Sequence, residues 1–546
     1  MLSSPRPWPG ADETTPRGRP RRWAFALAVV ALLAQMAIVM VTTAVEQTPT
    51  IDEPVYVGAA VAYLDQHSLR YNPEHPPLGK LIIAAGVAFA GPHLDRSFAG
   101  DESQLGQQVL YRSGNDPGRL ILLGRLPVIV VTLLFGLVVL AFARDLVGPV
   151  GGLVALALYA FSPDVIANGS LATLDVPVAG FLLTSVWLVW RARDRPGRYL
   201  PLAGLALGAA VATKMSALAA VPVVLGLAVL SFRHASPTRW LRRGAVAAAG
   251  VGVLAIVVVW ASYLVVDPQL RWEPPADAAP VVHGLRAIVD WLPLPEPYRY
   301  GMRFQFGLED QVWGTFLFGR HYDGPLWYYL PAALLVKTPL GMLALWVAGA
   351  AVMLSVPRLR IAAPYVLVPT VVLFVAAMTG SRDLGVRYVV FTPMFLAVAA
   401  AFVVILRVRW ARVLAAAMVA FTAVSSLLTF PYYLPYSNEA FGGPANTHLV
   451  LHDSNVDWGQ DLGRLAARLR EDYAGQPVWL VYKGSGLPSY YGIRAADPLA
   501  VPPDQVHGLL AVSDSAVAKD DPKLMALLAT STPVDDVGHS ITLYRR

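Results

Sequence analysis

The sequence predicts a polytopic α-helical membrane protein with a small α/β domain at its carboxy-terminal end. Three observations carry this. Of 546 residues, 55% are hydrophobic and only 15% charged, with a mean hydropathy of +0.51, whereas about a quarter of a soluble domain is charged. Apolar runs near the length that crosses a bilayer recur along most of the chain. After residue 431 the pattern changes to short strands and an amphipathic helix. With no cysteine, thiolate and disulfide chemistry are excluded and the redox compartment cannot be read. The net charge of +6 does not argue for nucleic acid, because the basic residues are almost all Arg and sit in short clusters between apolar runs.

Residues 1–22, rich in Pro, Gly and Arg, read as a disordered cytoplasmic tail. The run 23–45 is long enough to span. A cleaved signal peptide is the competing reading, but the apolar stretch is too long and no small-x-small site follows it. Further spans are expected near 120–143, 150–166, 175–191, 199–213, 216–232, 244–265, 326–354, 362–379, 388–406 and 411–431, about eleven in all if short or tilted ones are allowed. The pair 199–213 and 216–232 is interrupted by Lys214. The run 82–91 is too short and reads as a juxtamembrane helix.

With the amino terminus inside, every inner segment carries Arg, as the positive-inside rule requires. Arg144, Arg191, Arg193, Arg242, Arg358 and Arg409 are examples. The outer segments are longer, more acidic and more aromatic. This places residues 23–431 in a multi-pass domain of the cytoplasmic membrane with an outer loop at 46–118, and residues 432–546 outside. In that last domain Leu462, Leu465, Ala466 and Leu469 mark a helix. Residues 478–482, 509–512 and 541–544 read as strands, with a helix at 522–528. No internal repeat is visible.

The stretch 47–80, QTPTIDEPVYVGAAVAYLDQHSLRYNPEHPPLGK, is the chemical centre. Asp52 and Glu53 precede Pro54 at a helix start, and Glu74-His75 follow a short helix later, before Pro76 and Pro77 turn the chain. An Asp before Pro is usually only a cap for free N–H groups; what lifts this one is a second acid-plus-His cluster on the same membrane-pinned loop. Charges at the rim of apolar runs add candidates. Asp175 in NGSLATLDVP is as readily a cap. Lys214 in ATKMSA is as readily a snorkelling side chain. Lys337 in LLVKTPLG lies deep in its run. Arg387 in SRDLGVRY, beside Tyr388, suits phosphate. His321 in FGRHYDGP is a candidate substrate contact or an ordinary interfacial aromatic. An acidic pair facing several cations on the outer surface suits a lipid-borne phosphate, since no nucleotide-binding loop is present.

These segments resemble a known family. TPTIDEPVYVGAAVAYL with NPEHPPLGK is similar to the first outer loop of polyprenyl-phosphate-dependent glycosyltransferases of the GT-C fold, above all the bacterial relatives of the dolichyl-phosphate-mannose protein mannosyltransferases. SPDVIANGSLATLDVP, LLVKTPLG, DLGVRYVVFTP and YLPYSNEAFGGPANTHLVLHDSNVDWGQDL resemble further segments, in order. The resemblance runs from about residue 22 to 461. It implies inverting transfer of a sugar from a polyprenyl phosphate to an acceptor outside the membrane. The family's catalytic acid maps onto Asp52, with Glu53 beside it. The expected roles are Asp52 as general base, Lys337 and Arg387 with Lys214 on the leaving phosphate, and Glu53, Glu74 and His75 shaping the site. A divalent metal is conceivable, but one His beside one Glu is not a ligand set. The alternative from another class is a transporter or lipid flippase, for which the expected inverted repeat is missing.

Overall fold

The computed structural model describes residues 19–233, 239–274 and 284–546; the tail expected at 1–22 lies almost wholly outside them. Helix α1 covers Arg19–Glu46, α2 Glu53–Gln66, α3 Pro77–Val87, α4 Glu102–Gln107 and α5 Pro117–Val147. The bundle continues with α6 (Pro149–Ala160), α7 (Pro163–Gly169), α8 (Asp175–Ala192), α9 (Pro196–Val211), α10 (Val221–Ser231) and α11 (Trp240–Val266). After α12 (Glu296–Glu309) a hairpin of β1 (Gly314–Leu317) and β2 (Arg320–Asp323) precedes α13 (Tyr329–Lys337), α14 (Leu340–Ser355), α15 (Ala363–Met378), α16 (Phe391–Ala400) and α17 (Arg409–Thr429).

By length and composition four helices can cross a membrane: 22–46, α5, α11 and α17. The number rises to six if the bent pairs α6–α7 and α13–α14, which turn by 62° and 116°, each count as one span. Of the about eleven spans expected with short or tilted ones allowed, length and composition by themselves support four to six among the described residues. Residues 77–90, 215–230, 363–378 and 391–405 are apolar helices of 10–17 residues. Local chemistry explains the two bends. Pro339 supplies no N–H at the α13–α14 break, and there Asn438 Nδ2 donates to the carbonyls of Leu335 and Thr338 at 2.7 and 2.9 Å. Ser162 caps α7 through a bond from Val165 N, so the chain restarts a helix where a continuous apolar run suggested one span.

The long helices pack closely. A Cβ on Gly180 of α8 would lie 2.1 Å from the Phe135 ring of α5, so glycine sets that approach. Helix α8 runs from Asp175 to an Arg-bearing end. There Arg191 meets Asp145 of the α5 end at 3.1 Å, and Arg193 lies 4.3 Å over Trp190. Asp175 thus marks one end of this helix, and Arg191 and Arg193 mark the other.

Beyond the bundle, α18 (Leu462–Asp472), β3 (Val478–Val481), β4 (Ala495–Ala496), β5 (Leu509–Ser513), α19 (Asp514–Val517), α20 (Pro522–Leu528), β6 (Thr532–Val537) and β7 (Ile541–Arg545) complete the chain. The strands form one mixed sheet in the order β4-β3-β5-β7-β6, with β3 parallel to β4 and β5, and β7 antiparallel to β5 and β6. Helix α18 covers one face through Leu462, Leu465 and Ala466, against Leu509, Ala511 and Leu543. Alternate residues of β5, Leu510 and Val512, face α20 through Leu524 and Leu527, as the two-residue period of a strand requires.

Candidate active site

Asp52 immediately precedes α2, yet its side chain makes no capping bond. Instead Oδ2 accepts from Arg387 Nη1 at 2.5 Å. The two side chains are 26% and 9% exposed, so the carboxylate stays open to solvent while its partner is covered. The loop bearing Asp52 is held by the chain that follows α17. Thr48 N donates to the Gln460 carbonyl and Ile51 N to that of Trp458, both at 2.9 Å. Ser485 Oγ donates to the Thr50 carbonyl at 3.0 Å.

Arg387 sits on a 3₁₀ turn, Val386–Val389. Gly385 before it has φ 151°, and a Cβ there would meet Ser454 Oγ at 2.1 Å, so only glycine lets the turn approach that loop. Asn455 Oδ1 accepts from Val386 N at 3.0 Å. The guanidinium centre lies 4.3 Å over the Trp458 ring and 5.1 Å over that of Tyr388. Its Nε is buried without a hydrogen-bond partner among the described residues. Burial opposes the charge on Arg387, but Asp52, Tyr388, Asp175 and Asp453 together hold its pKa well above the ordinary value.

The second ion pair is Lys214 with Asp175, at 2.5 Å. Lys214 follows α9, and Asp175 lies in the first turn of α8. Lys214 Nζ is 5.7 Å over the Tyr388 ring, so Tyr388 stands between the two cations. Tyr56 of α2 faces the same space: burial raises its pKa, and the charges of Asp52 and Asp175 add to that. The His75 ring lies 5.8 Å from that of Tyr56. Burial keeps His75 well below the usual imidazole pKa, with Lys214, Lys80, Arg382 and Arg387 acting in the same direction. Its Nδ1 is buried without a partner among the described residues. Asp52, His75, Asp175, Lys214 and Arg387 are thus brought together.

Four expected residues do something else. Glu53, expected beside Asp52 in the reaction, is fully buried with Arg125, both side chains at 0% exposure. Arg125 donates to both its carboxylate oxygens at 2.7 and 2.6 Å and to the carbonyls of Ala44, Gln47 and Thr48. Glu53 also accepts from Thr50 N and Ala172 N at 2.9 and 2.8 Å. Burial pushes its pKa up, but Arg125 and these bonds bring it below the usual value, so it has no lone pair free for a substrate proton. Lys337, expected on the phosphate, is 1% exposed and donates to the carbonyls of Leu434 and Asn455 at 2.6 and 2.8 Å. It thereby fixes the Asn455 loop beneath Arg387. Glu74 is buried and accepts from Asn72 Nδ2. Lys80 Nζ closes the same turn on the carbonyls of Asn72 and His75 at 2.6 and 2.8 Å. Burial and the nearby Glu102 carboxylate hold the Glu74 pKa well above the usual range, so it stabilises the turn that presents His75. His321 is exposed on β2, its ring 5.1 Å from Phe316, and among the described residues no contact joins it to Asp52.

Several members were not among the site residues expected from sequence: Tyr56, Trp458, Arg382 and Asp453, with Tyr388 named there only as the neighbour of Arg387. Arg382 is held by Glu309 at 2.7 Å, and Asp453 pairs with Lys483. The segment HDSNVDWGQD carried the signal for Asp453 and Trp458, since so many polar residues directly after an apolar run need partners. Among the described residues no three His, Cys, Asp or Glu side chains gather as a metal-binding group.

Residues 28–267, less than half of the chain, match the family model described as dolichyl-phosphate-mannose-protein mannosyltransferase. No curated protein matches the chain. Among solved structures, ArnT from Cupriavidus metallidurans in the apo state is similar at 15% identity and a TM-score of 0.49, covering 96% of this chain and 98% of that one. The same protein bound to undecaprenyl phosphate gives 15% and 0.47, covering 94% and 97%. The S. cerevisiae protein O-mannosyltransferase Pmt1-Pmt2 complex bound to the sugar donor gives 19% and 0.36, covering 45% of this chain and 33% of that one. The match to the family model falls on the segment that holds Asp52, Glu53, His75, Asp175 and Lys214, and it bears out the resemblance read from the loop motifs.

Proposed function

We propose that this protein is a membrane glycosyltransferase that moves a sugar from a polyprenyl-phosphate donor to an acceptor hydroxyl on the outer face of the cytoplasmic membrane, with inversion. The observation that carries this reading is the Asp52–Arg387 pair, partly open to solvent and flanked by the Lys214–Asp175 pair.

In this arrangement each cation of the cleft already holds an acid, so the site is close to neutral. A donor phosphate brings negative charge to Arg387 and Lys214 and displaces Asp52 and Asp175 from them. Guanidinium and phosphate suit each other bidentately, and the buried Arg387 Nε is a donor in reserve. Release from Arg387 frees the Asp52 carboxylate for the acceptor. The acceptor oxygen attacks the anomeric carbon from the face opposite the phosphate. As the new carbon–oxygen bond forms, the bond to the phosphate oxygen breaks with its electron pair, and the acceptor proton passes to Asp52. Arg387 and Lys214 stabilise the charge growing on the leaving prenyl phosphate, the kind of preorganised electrostatic help that is often the largest catalytic contribution. Of the rings beside this pair, Tyr56 and Trp458 are buried and Tyr388 is half-buried, so Tyr388 is the one open to a sugar face.

The test is incubation of the purified protein with radiolabelled polyprenyl-phosphate sugars and an envelope extract as acceptor. Release of prenyl phosphate with label passing to the acceptor supports the reading. Relocation of intact lipid across vesicles without release would make the protein a flippase and defeat it.

A further inference from the structure

A groove of about 550 Å³ opens between the first turns of α9 and α11 and the end of α10, lined by Pro196, Leu200, Phe232, Arg239, Arg242 and Arg243 among others. It is remote from Asp52. Lys214 follows the last residue of α9, whereas the groove lies at its first, about 24 Å away at the rise of a 16-residue helix. Glycines explain its shape. A Cβ on Gly204 or Gly208 would come within 3.0 Å of α11 at Val251, Leu254, Ala255 or Val258, so the two helices touch there. Toward their amino-terminal ends the floor is Gly250, Val251 and Leu254, and a Cβ on Gly250 would meet nothing within 4 Å.

The charges lining the mouth are all of one sign. Arg239, Arg242 and Arg243 are exposed and form no ion pair among the described residues. They crowd the start of α11, whose first turn holds no acidic residue. The start of α9 at the same mouth holds none either. A helix amino terminus is the positive end of the macrodipole and favours anions, so arginines there carry the wrong sign. Two positive helix ends and three guanidiniums converge on one apolar slot, and an anion complements all of them at once.

We propose that this groove binds an anionic phospholipid of the leaflet on the Arg-bearing face. The phosphate headgroup meets Arg239, Arg242, Arg243 and the two helix starts, and one acyl chain lies along Leu200, Val251 and Leu254. The phosphate supplies the missing counter-charge, and the slot supplies the apolar length that a free inorganic anion would leave empty. Each cation near a membrane surface contributes on the order of 1 kcal/mol to such binding, so loss of three weakens it roughly a hundredfold.

The experiment is native mass spectrometry of the full-length protein in detergent with equal amounts of phosphatidylglycerol and phosphatidylcholine of matched chains. The expected result is retained phosphatidylglycerol at least about tenfold in excess, a difference of ~1.4 kcal/mol. The triple change Arg239→Gln, Arg242→Gln and Arg243→Gln should abolish the preference, and the corresponding Lys variant should keep most of it. Gly250→Leu fills the floor without touching charge and should abolish retention, which keeps the test decisive if the triple variant fails to fold. Equal retention of both lipids, undiminished phosphatidylglycerol in Gly250→Leu, or preferential displacement by a polyprenyl phosphate would overturn the assignment.

Discussion

Asp52 and Glu53 are adjacent acids, each paired with an arginine, and they end in opposite surroundings. The Glu53–Arg125 pair is sealed, with every carboxylate oxygen and guanidinium nitrogen bonded. Those bonds tie the end of α1, the start of α2, α5 and the turn before α8 into one unit. The Asp52–Arg387 pair has one direct bond, a partly exposed carboxylate and an unused Nε. A buried pair gains little net energy but is costly to break on one side. A half-open pair can exchange its partner for a ligand. The same two residue types therefore serve architecture in one case and chemistry in the other, and what separates them is how many of their hydrogen-bonding positions remain free.

The largest expected effect breaks the sealed side. Glu53→Gln leaves the Arg125 charge buried without compensation and should cost about 3–5 kcal/mol. Most of the protein should then be lost from the folded, detergent-soluble fraction, as read by size-exclusion profile and unfolding midpoint. Changing both Glu53 and Arg125 to apolar residues should rescue little, because carbonyls of Ala44, Gln47 and Thr48 and the N–H groups of Thr50 and Ala172 would stay unpaired. A well-folded Glu53→Gln would show that the pair is dispensable and reopen Glu53 as a reacting group.

The next effect falls on the open side. Asp52→Asn keeps the size of the side chain and should fold, while sugar transfer falls by roughly 10²-fold or more because a general base is removed. Donor binding should persist. Near-normal transfer at equal expression would take the base away from Asp52.

The carboxylate pair also shows how far the sequence could be read. The helix start at Pro54, the strands at 478–482, 509–512 and 541–544 and the helix at 522–528 follow from local pattern, and each corresponds to an element of the fold. The polar loop segments were legible as a group because polar residues beside apolar runs need a reason. Which of two neighbouring acids faces the cleft was not legible. It is decided by Arg125 and Arg387, distant in sequence, one inside a helix and one on a turn. Lys337 misled for a related reason. A lysine deep in an apolar run signals a buried partner, but not whether that partner is a ligand or a backbone carbonyl. The bend at Lys337–Leu340, where a proline and an asparagine from a remote loop stop a helix inside one apolar run, was likewise not legible. The 452–461 loop carries part of the family resemblance, yet its place behind Asp52 depends on bonds across more than four hundred residues.

A smaller effect separates charge from geometry at Arg387. Arg387→Lys keeps one positive charge but loses the planar fork and the stacking on Trp458 and Tyr388. Donor affinity should weaken roughly tenfold, measured by displacement of a labelled polyprenyl phosphate, with little change in unfolding midpoint. Equal affinity would reduce Arg387 to a point charge.

The smallest effect concerns His75, which lines the open side without belonging to either pair. Burial and the surrounding cations keep its imidazole neutral in the folded protein. In the unfolded chain it takes a proton near a pH of about 6.5. Between that value and its depressed folded pKa, the unfolded state binds the additional proton, so stability falls as pH drops below about 6.5 and is unaffected above it. His452, pulled down to about 4 mainly by burial, acts with the same sign. Asp457, pushed up to about 7 by burial, acts oppositely: it keeps its proton when folded, and that contribution is lost as pH rises toward its folded pKa. The whole-protein curve mixes these, so the informative quantity is the difference between the native chain and His75→Gln. That difference should be flat above pH of about 7 and then grow on acidification, by at most about 1.4 kcal/mol per pH unit. Equilibrium unfolding in mixed detergent at a series of pH values gives it directly. A difference that stays flat down to about pH 5 would mean that the folded protein binds this proton as readily as the unfolded chain, so that His75 gains its charge near a pH of about 6.5. His75 would then count with Arg387 and Lys214 among the cations available to a phosphate.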